Sequence, residues 1–402
     1  MLAGADAQRA LEAAFAVARA LDGRPARAAA HQPLAEALAE RALLHGYLDA
    51  IRPGEGHRDA ALEMLDEAFE ATASAVLSPA LFGGFLGVAF IAQHLRRLWG
   101  EAAHLDAIDD ALLAHLDAPR LAPLHDVTSG LSGVAAYALE RLPARSASKC
   151  FERIVSSLSG AACEERAGLA WFTDGPLLDD EMRARHPRGH FDAGFAHGTP
   201  GVVGALAAMQ LAGVGGERVA WLLRGAVRWV LTQRLGMEMP WFVGAGIVAE
   251  PARSAWCYGS PAAAWAILRA ARAARDASWE REARTMALGA AARPADRCGV
   301  RDACLCHGAA GLGHLYARLF QATGEPALRE AARDWVLRAL GSRHPTRGLA
   351  GFQFCEAGDG ALVTREDPSF LSGAIGVALA FVAAATDLEP AWDGRLLLSR
   401  PW

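Results

Sequence analysis

Short glycine motifs recur along the chain, each at the start of an apolar segment of helical length. Six such starts are GFLG at Gly84, GLSG at Gly130, GTPG at Gly198, the degenerate GSPA at Gly259, GAAG at Gly308 and GAIG at Gly373. Successive leading glycines lie 46, 68, 61, 49 and 65 residues apart, which leaves room for about one helix pair in each interval. A single glycine pair is often only a packing device. Six at helix starts favour a repeat, in which glycine lets crowded backbones turn and approach one another.

A second class of segment lies between the glycine starts and has one polar face. From Pro326 to Leu340, and again from Glu217 to Leu231, the apolar residues fall on one stripe, as in a surface helix. The glycine-start segments are apolar on nearly all sides, so we expect them to be buried. The two classes together predict an all-α fold, a double-layered (α/α) toroid with apolar helices inside and amphipathic helices outside. We expect residues 1–402 to form a single domain, with outer or leading helices in residues 1–80 and glycine repeats from about residue 84.

The bulk properties exclude several classes of protein. The net charge is −5 with both signs interspersed, so no nucleic-acid-binding surface is indicated.

The longest apolar runs begin at Leu81 and Ser369, are interrupted by glycine or rich in alanine, and do not exceed the length of a membrane span. The N-terminal residues have the pattern of an amphipathic helix and not of a signal peptide. We therefore expect a cytoplasmic protein, in which cysteines are normally thiols. The seven cysteines, an odd number, also argue against a full disulfide framework.

Polar residues directly precede several of the helix-start glycines. In a toroid of repeats, equivalent positions lie at the same end, so residues far apart in sequence converge there. The residues in question are Asp126 in HDVTSG, His197 in AHGTPG, Arg253, Cys257 and Tyr258 in RSAWCYG, and Cys306 and His307 in CHG. The longest irregular stretch, residues 162–195, is expected to rim the mouth of this site.

Three of these residues form a Cys₂His set that suits zinc. Thiolate and imidazole ligands favour zinc over magnesium or calcium, and three protein ligands with a water in the fourth position are typical of a catalytic site. The set is Cys257, Cys306 and His307. Cys304 is an alternative fourth ligand, which would close the site and make it structural.

Two of the remaining residues also have ordinary structural interpretations. The position of His197 at a repeat start favours a functional role, although a single histidine is more often packed in a core. Asp126 is either a catalytic group or a helix N-cap.

The segments HGTPGV from His197, WCYG from Trp256 and CHGAAG from Cys306 resemble the lanthionine synthetase C family, the lanthipeptide cyclases. The glycine repeats extend the resemblance from about Gly84 to the C-terminus. It implies a toroid of seven helix pairs and one zinc ion, with water or a substrate thiolate as fourth ligand. The implied ligands are Cys257, Cys306 and His307, the implied acid–base residue is His197, and the implied catalytic or orienting groups are Asp126, Arg253 and Tyr258.

The chain departs from the family pattern in two ways. Six glycine starts are found where seven are expected, so the first pair lacks the signature, and Cys304 beside the ligands is not part of the pattern. No N-terminal half is large enough for a fused dehydratase, so the chain looks like a stand-alone cyclase.

The resemblance implies a specific reaction and its partners. A peptide cysteine would add to dehydroalanine or dehydrobutyrine and form a thioether ring in a dehydrated precursor peptide. A dehydratase and an export transporter are the implied partners, and the implied location is cytoplasmic, at the periphery of a membrane-associated synthetase complex.

Three alternatives remain open at this stage. Relatives with similar motifs add glutathione to dehydrated residues in proteins. A prenyltransferase-like toroid also combines zinc with thiol activation, but its metal set usually includes a carboxylate. A helical scaffold with a structural zinc would recruit Cys304 as fourth ligand.

Overall fold

The computed structural model describes residues 1–27, 32–118, 124–357 and 362–399. The α-helices, in chain order, are α1 (Gly4–Asp22), α2 (Leu34–Ile51), α3 (His57–Ala73), α4 (Phe85–Leu98), α5 (Asp106–Asp117), α6 (Leu131–Glu140), α7 (Arg145–Ala161), α8 (Asp180–Arg185), α9 (Thr199–Leu211), α10 (Gly216–Thr232), α11 (Ser260–Ala274), α12 (Ala277–Ala291), α13 (Ala309–Thr323), α14 (Pro326–Gly341) and α15 (Ala374–Ala385). Short 3-10 helices span Gly175–Leu177, Ala295–Arg297 and Ala391–Leu396.

The strands are short and pair in an antiparallel sense. They are β1 (Cys163–Glu165), β2 (Gly168–Ala170), β3 (Phe172–Thr173), β4 (His190–Asp192), β5 (Phe242–Val243), β6 (Phe354–Ala357) and β7 (Leu362–Arg365). They form two hairpins, β1–β2 and β6–β7, and a three-stranded sheet in the order β3-β4-β5.

The predicted helix starts are confirmed. Each of the six leading glycines is the N-cap residue of a helix that is buried along most of its length: Gly84 of α4, Gly130 of α6, Gly198 of α9, Gly259 of α11, Gly308 of α13 and Gly373 of α15. The amphipathic segments also form helices, α10 and α14. In α14 the buried residues include Leu328, Ala332 and Trp335, as the stripe predicts.

One buried helix has no glycine start. Helix α2 follows Pro33 and is buried from Ala35 to Leu48, although the sequence places only outer or leading helices before residue 80. Small residues replace the missing motif at its contact with α4. A Cβ at Gly46 would come within 2.2 Å of a methyl carbon of Leu95, so this glycine permits close packing within the helix instead of at its start.

The chain divides into two compact units, and the first comprises residues 1–78, 82–104 and 294–393. Helix α2 packs on α3, α13 on α14, and the N-terminal helix α1 on the last helix, α15. The backbone N–H of Leu2 donates to the carbonyl of Ala384 at 2.7 Å. A buried ion cluster fixes the end of this unit, where Asp393 accepts from His314 at 2.8 Å and from Arg318 at 2.6 Å.

The second unit comprises residues 79–81, 105–293 and the segment from residue 394. Helix α6 packs on α7, α9 on α10, and α11 on α12, while α9 also contacts α6 and α11. The segment from residue 394 is held by side chains of this unit, because the indole N–H of Trp265 and the guanidinium of Arg269 both donate to the carbonyl of Leu397 at 3.0 Å. Residues 162–195, predicted to be irregular, contain strands β1 to β4 and the six-residue helix α8.

Within the described ranges, no helix combines the length and the hydropathy needed to cross a bilayer.

The second glycine of the motifs lies against the loop that precedes the helix. A Cβ at Gly201 would lie 2.1 Å from the carbonyl oxygen of Phe195, and one at Gly311 would lie 1.7 Å from that of Leu305. Both distances are far below any real Cβ contact. Gly133 and Gly376 have the same relation to the carbonyl six residues earlier. The loop therefore folds back over the first turn of its own helix, and only glycine leaves room for it.

We expect Gly201→Ala to lower the free energy of unfolding by about 2 kcal/mol or more, because the new methyl group overpacks a site bounded by backbone. Gly160→Ala in α7 is the matched control. A Cβ there would meet no atom within 4 Å, so this change should be neutral or stabilising by up to about 1 kcal/mol. Urea denaturation followed by circular dichroism measures both. Equal effects of the two substitutions would contradict the close contact at Gly201.

Candidate functional site

The loops that precede α6, α9 and α11 are hydrogen-bonded to one another within the second unit. The N–H of Val127 donates to the carbonyl of Ala196 at 2.9 Å, and the N–H of Phe195 donates to the carbonyl of Cys257 at 2.7 Å. Backbone contacts thus place three repeat loops side by side. Those loops carry the predicted site residues Asp126, His197, Arg253, Cys257 and Tyr258.

Three of the four predicted catalytic residues open on one cavity of about 490 Å³, here called the histidine cavity. They are Asp126, His197 and Tyr258. His197 is the accessible member, with a side chain that is 49% exposed and an Nδ1 atom 4.0 Å from Oδ1 of Asp126. Its ring centroid lies 6.3 Å from that of Tyr258. The size suits a small-molecule or peptide side-chain site.

Asp126 organises its own loop and does not cap α6. Its Oδ1 accepts the backbone N–H groups of Thr128 at 2.7 Å and Ser129 at 2.8 Å, both of which precede the helix. The N-cap of α6 is Gly130, without a side-chain cap. Because these bonds hold the carboxylate in place, Asp126 is a fixed negative charge beside His197.

Asp192 is a site residue that the sequence interpretation missed. It lines the histidine cavity, its side chain is buried, and its Oδ2 accepts from the hydroxyl of Tyr258 at 2.6 Å. Its Oδ1 accepts the N–H of Gly194 at 2.7 Å. Burial raises the pKa of Asp192 to about 6, against the opposing effects of His197 and of the Tyr258 hydroxyl. At neutral pH it is a carboxylate that orients the Tyr258 hydroxyl.

Two other histidines of this cavity are neutral at physiological pH. Burial lowers the pKa of both His125 and His190 to about 4. The Nδ1 atom of His190 lies 2.9 Å from Nδ1 of His186, so one of the two rings donates and the other accepts. His197 is therefore the solvent-accessible histidine of the three that line the cavity, and the one placed to exchange a proton with a bound molecule.

Arg253 lies in an adjoining cavity of about 680 Å³, here called the arginine cavity. Its guanidinium carbon is 5.1 Å from the centre of the Trp241 ring. The two cavities share Met182, Phe242 and Tyr258 as lining residues. Arg253 and Tyr258 both line the arginine cavity, whereas His197 and Asp126 line only the histidine cavity.

The loop before α13 in the first unit carries Cys306 and His307, both half-buried. The N–H of Cys306 donates to the carbonyl of Leu371, in the loop before α15, at 2.9 Å. Cys304 in the same loop is fully buried. Among the described residues, which include all seven cysteines, no disulfide forms, in agreement with the thiols expected from the sequence.

A potential metal cluster lies within this loop. Asp302, Cys304 and His307 offer ligand atoms that all lie within 4.8 Å of one another. The two carboxylate oxygens of Asp302 already accept backbone N–H groups, Oδ1 from Cys304 at 2.9 Å and Oδ2 from Cys355 at 3.0 Å. Asp302 therefore shapes the loop. The soft metal-binding donors of this cluster are the thiol of Cys304 and the imidazole of His307. Such donors suit zinc, while Cys257, the other predicted ligand, belongs to the second unit.

Comparisons with known proteins bear on the family and the fold. The chain matches the family model described as "Lanthionine synthetase C-like protein" over residues 36–397. No curated protein matches it significantly. Among solved structures it is similar to nisin cyclase, with 18% sequence identity, a TM-score of 0.75, and coverage of 96% of this chain and 97% of that chain.

The structural similarity extends over nearly the whole of both chains. At this identity it shows the fold, and the predicted all-α, double-layered (α/α) toroid is thereby confirmed. The family model covers both the HGTPGV and WCYG segments of the second unit and the CHGAAG segment of the first. The chain belongs to the lanthionine synthetase C-like family.

Proposed function

We propose that the chain is a zinc-dependent lanthipeptide cyclase, which joins cysteine thiols of a peptide to dehydroalanine or dehydrobutyrine residues of the same peptide. The observation that carries this proposal is the histidine cavity. It presents an accessible histidine, a fixed aspartate and a tyrosine held by a buried carboxylate in one space. Family membership and the fold shared with nisin cyclase support the same reaction class.

The reaction needs one deprotonation and one protonation. The substrate thiol loses its proton, the sulfur forms a bond to the β-carbon, and the π bond between the α- and β-carbons breaks. The resulting enolate takes a proton at the α-carbon, so the product is an isomer of the substrate and no oxidant or reductant is consumed. A protein that performs this addition must therefore supply a proton donor on the side where the enolate forms.

His197 is the residue that we assign to this proton transfer. Histidine exchanges protons near neutral pH, and the side chain is half exposed to the cavity. The carboxylate of Asp126 lies 4.0 Å from Nδ1 of His197, close enough to orient the imidazole ring. His197 then gives its proton to the α-carbon and regains one from solvent.

Tyr258 is the second polar group at this position. Its hydroxyl donates to Asp192, and the residue lines the histidine cavity. We assign it to the orientation of the substrate or of His197. Arg253, which shares the arginine cavity with Tyr258, is assigned to orienting the peptide.

Cys257, Cys306 and His307 are the proposed zinc ligands, with water or a substrate thiolate as fourth ligand. Two thiolates and one imidazole fit zinc by donor type. Zinc, when bound, supplies Lewis acidity that lowers the pKa of a thiol. The bond from the N–H of Cys306 to the carbonyl of Leu371 holds Cys306, and Asp302 shapes the loop that carries Cys306 and His307 through its bond to the N–H of Cys304. The backbone bonds from Phe195 and Ala196 hold Cys257.

The partners and location follow from the same proposal. The substrate is a dehydrated precursor peptide, so a dehydratase must act first, and the modified peptide is passed to an export transporter. We place the chain in the cytoplasm, at the periphery of a membrane-associated synthetase complex, acting as a single toroid domain.

Zinc content tests the ligand assignment. We expect one zinc per chain in the wild type, loss of zinc in Cys257→Ala and Cys306→Ala, and retention in Cys304→Ala. Cys304 is the position that discriminates between the two kinds of site, because it lies in the same loop as Cys306 and the structural-zinc alternative recruits it as fourth ligand. Atomic absorption on the purified full chain measures the content. Loss of zinc in Cys304→Ala would instead indicate a closed site that includes Cys304 and would favour the structural-zinc alternative.

Substitution of His197 tests the proton transfer. We expect His197→Ala to retain zinc and to slow thioether formation by about 10²- to 10⁴-fold, the usual contribution of a general acid. His104→Ala, at an exposed histidine that lines neither cavity, should leave the rate unchanged. Mass spectrometry of a dehydrated peptide after thiol alkylation gives the rate, and glutathione in parallel reactions reveals any intermolecular adduct. A His197→Ala enzyme with the wild-type rate would remove His197 from the mechanism.

Paired substitutions test the role of Asp192. We expect Tyr258→Phe and Asp192→Asn each to lower kcat by about 10- to 100-fold, which corresponds to loss of a hydrogen bond to a charged group. Asparagine can accept only one of the two bonds that Asp192 accepts, so its amide group faces either Gly194 or the Tyr258 hydroxyl. Because the two residues act as one unit, the double variant should be no slower than the slower single variant. If the fold-reductions in kcat of the two single variants multiply in the double variant, Asp192 acts independently of Tyr258.

A further inference from the structure

The arginine cavity has a charge that differs from that of the chain as a whole. The chain carries a net charge of −5, yet three arginines line this cavity against one acidic residue, Glu250. Of the three, Arg185 is paired with Glu181 at 2.6 Å. A cavity lined by one sign of charge concentrates ligands of the opposite sign.

Arg188 and Arg253 are the unpaired cations of this cavity. In the part of the chain that the structure describes, neither has a carboxylate oxygen within 4.0 Å of its guanidinium nitrogens. Arg188 is held by one bond, from Nη2 to the carbonyl of Ala245 at 3.0 Å, which leaves its other N–H groups available. Arg253 lies over the Trp241 ring, and stacking of this kind leaves the N–H edge of a guanidinium available.

The size and the apolar walls of the arginine cavity suit a peptide better than a small inorganic anion. Its volume of about 680 Å³ is large for a single anion, and Trp241, Phe242 and Ile247 give it apolar walls. It continues into the histidine cavity, because Phe242 and Tyr258 line both. A chain that reacts beside His197 therefore passes Tyr258 to reach the two arginines.

We propose that the arginine cavity binds an aspartate or glutamate side chain of the peptide substrate, in the segment next to the reacting residues. Guanidinium groups bind carboxylates through paired, charge-assisted hydrogen bonds. The peptide backbone and its neighbouring apolar side chains then lie against Trp241, Phe242 and Ile247. This assignment rests on the proposed function, since it supposes that a peptide occupies the histidine cavity.

Binding of two matched peptides tests the assignment on the full chain. The probes are a fluorescein-labelled, acetylated and amidated octapeptide with two adjacent glutamates, and its twin with two glutamines. We expect the wild type to bind the glutamate peptide about 10-fold more tightly, the effect of a charge-assisted hydrogen bond. Raising the salt concentration should weaken only that peptide. Fluorescence anisotropy gives both dissociation constants.

Arginine variants locate the site. Arg188→Gln should abolish the preference for glutamate, and Arg188→Lys should restore only part of it, because an ammonium lacks the planar fork. Arg224→Gln is the control, since Arg224 is exposed in the same unit and lines neither cavity. It should retain the full preference.

Three results would overturn the carboxylate site: equal binding of the two peptides to the wild type, no measurable binding of either, or equal losses in Arg188→Gln and Arg224→Gln. The measurement needs neither zinc nor a dehydrated residue. Failure of selective binding together with intact thioether formation would therefore reject this site alone. Selective binding without any thioether formation would reject the proposed function and leave the carboxylate site standing.

Discussion

The close approach of a loop to the first turn of its own helix is the contact on which the structure depends. At Gly201 and Gly311 a carbonyl oxygen occupies the space where a Cβ would be. Because the loop is pressed against the helix, the residue just before the leading glycine is presented at the helix start. His197 and His307 occupy that position in the repeats of Gly201 and Gly311. A packing requirement of the backbone thus determines which positions of the chain can carry chemistry.

The same loops need a carboxylate to satisfy their backbone N–H groups. Asp192, Asp302 and Asp367 each lie six residues before a helix-start glycine, and each accepts the N–H two residues further on. The second carboxylate oxygen is used differently in each loop. That of Asp302 accepts from Cys355, that of Asp367 contacts Arg365, and that of Asp192 accepts from the Tyr258 hydroxyl. A residue that shapes the loop has thereby become part of the candidate site in only one of the three.

The starts of the buried helices can be predicted because the glycine motifs are visible in the sequence. All six leading glycines are N-cap residues in the structure. Helix α2 could not be found in this way, since its close contact at Gly46 lies inside the helix. Asp192 was missed although a signal exists in the recurring six-residue spacing from aspartate to glycine. The repeat also predicts only at which end of the helices a residue lies. It does not predict the direction of a side chain, so it could not place Arg253 over the Trp241 ring.

The pairing of the short strands β4 and β5 couples the residues that contact the substrate to those of the candidate catalytic site. A substitution in one group therefore affects the other. Strand β4 ends at Asp192, which pairs with Phe242 of β5, and Phe191 pairs with Val243. Phe242 lines both cavities, and β5 begins directly after Trp241, on which Arg253 lies. The wall of the arginine cavity and the carboxylate that holds Tyr258 are therefore joined by a two-residue backbone ladder. A substitution that shifts β5 to alter peptide binding also shifts Asp192, whereas a change at Arg188, which lies outside the ladder, alters the charge of the cavity and leaves this ladder intact.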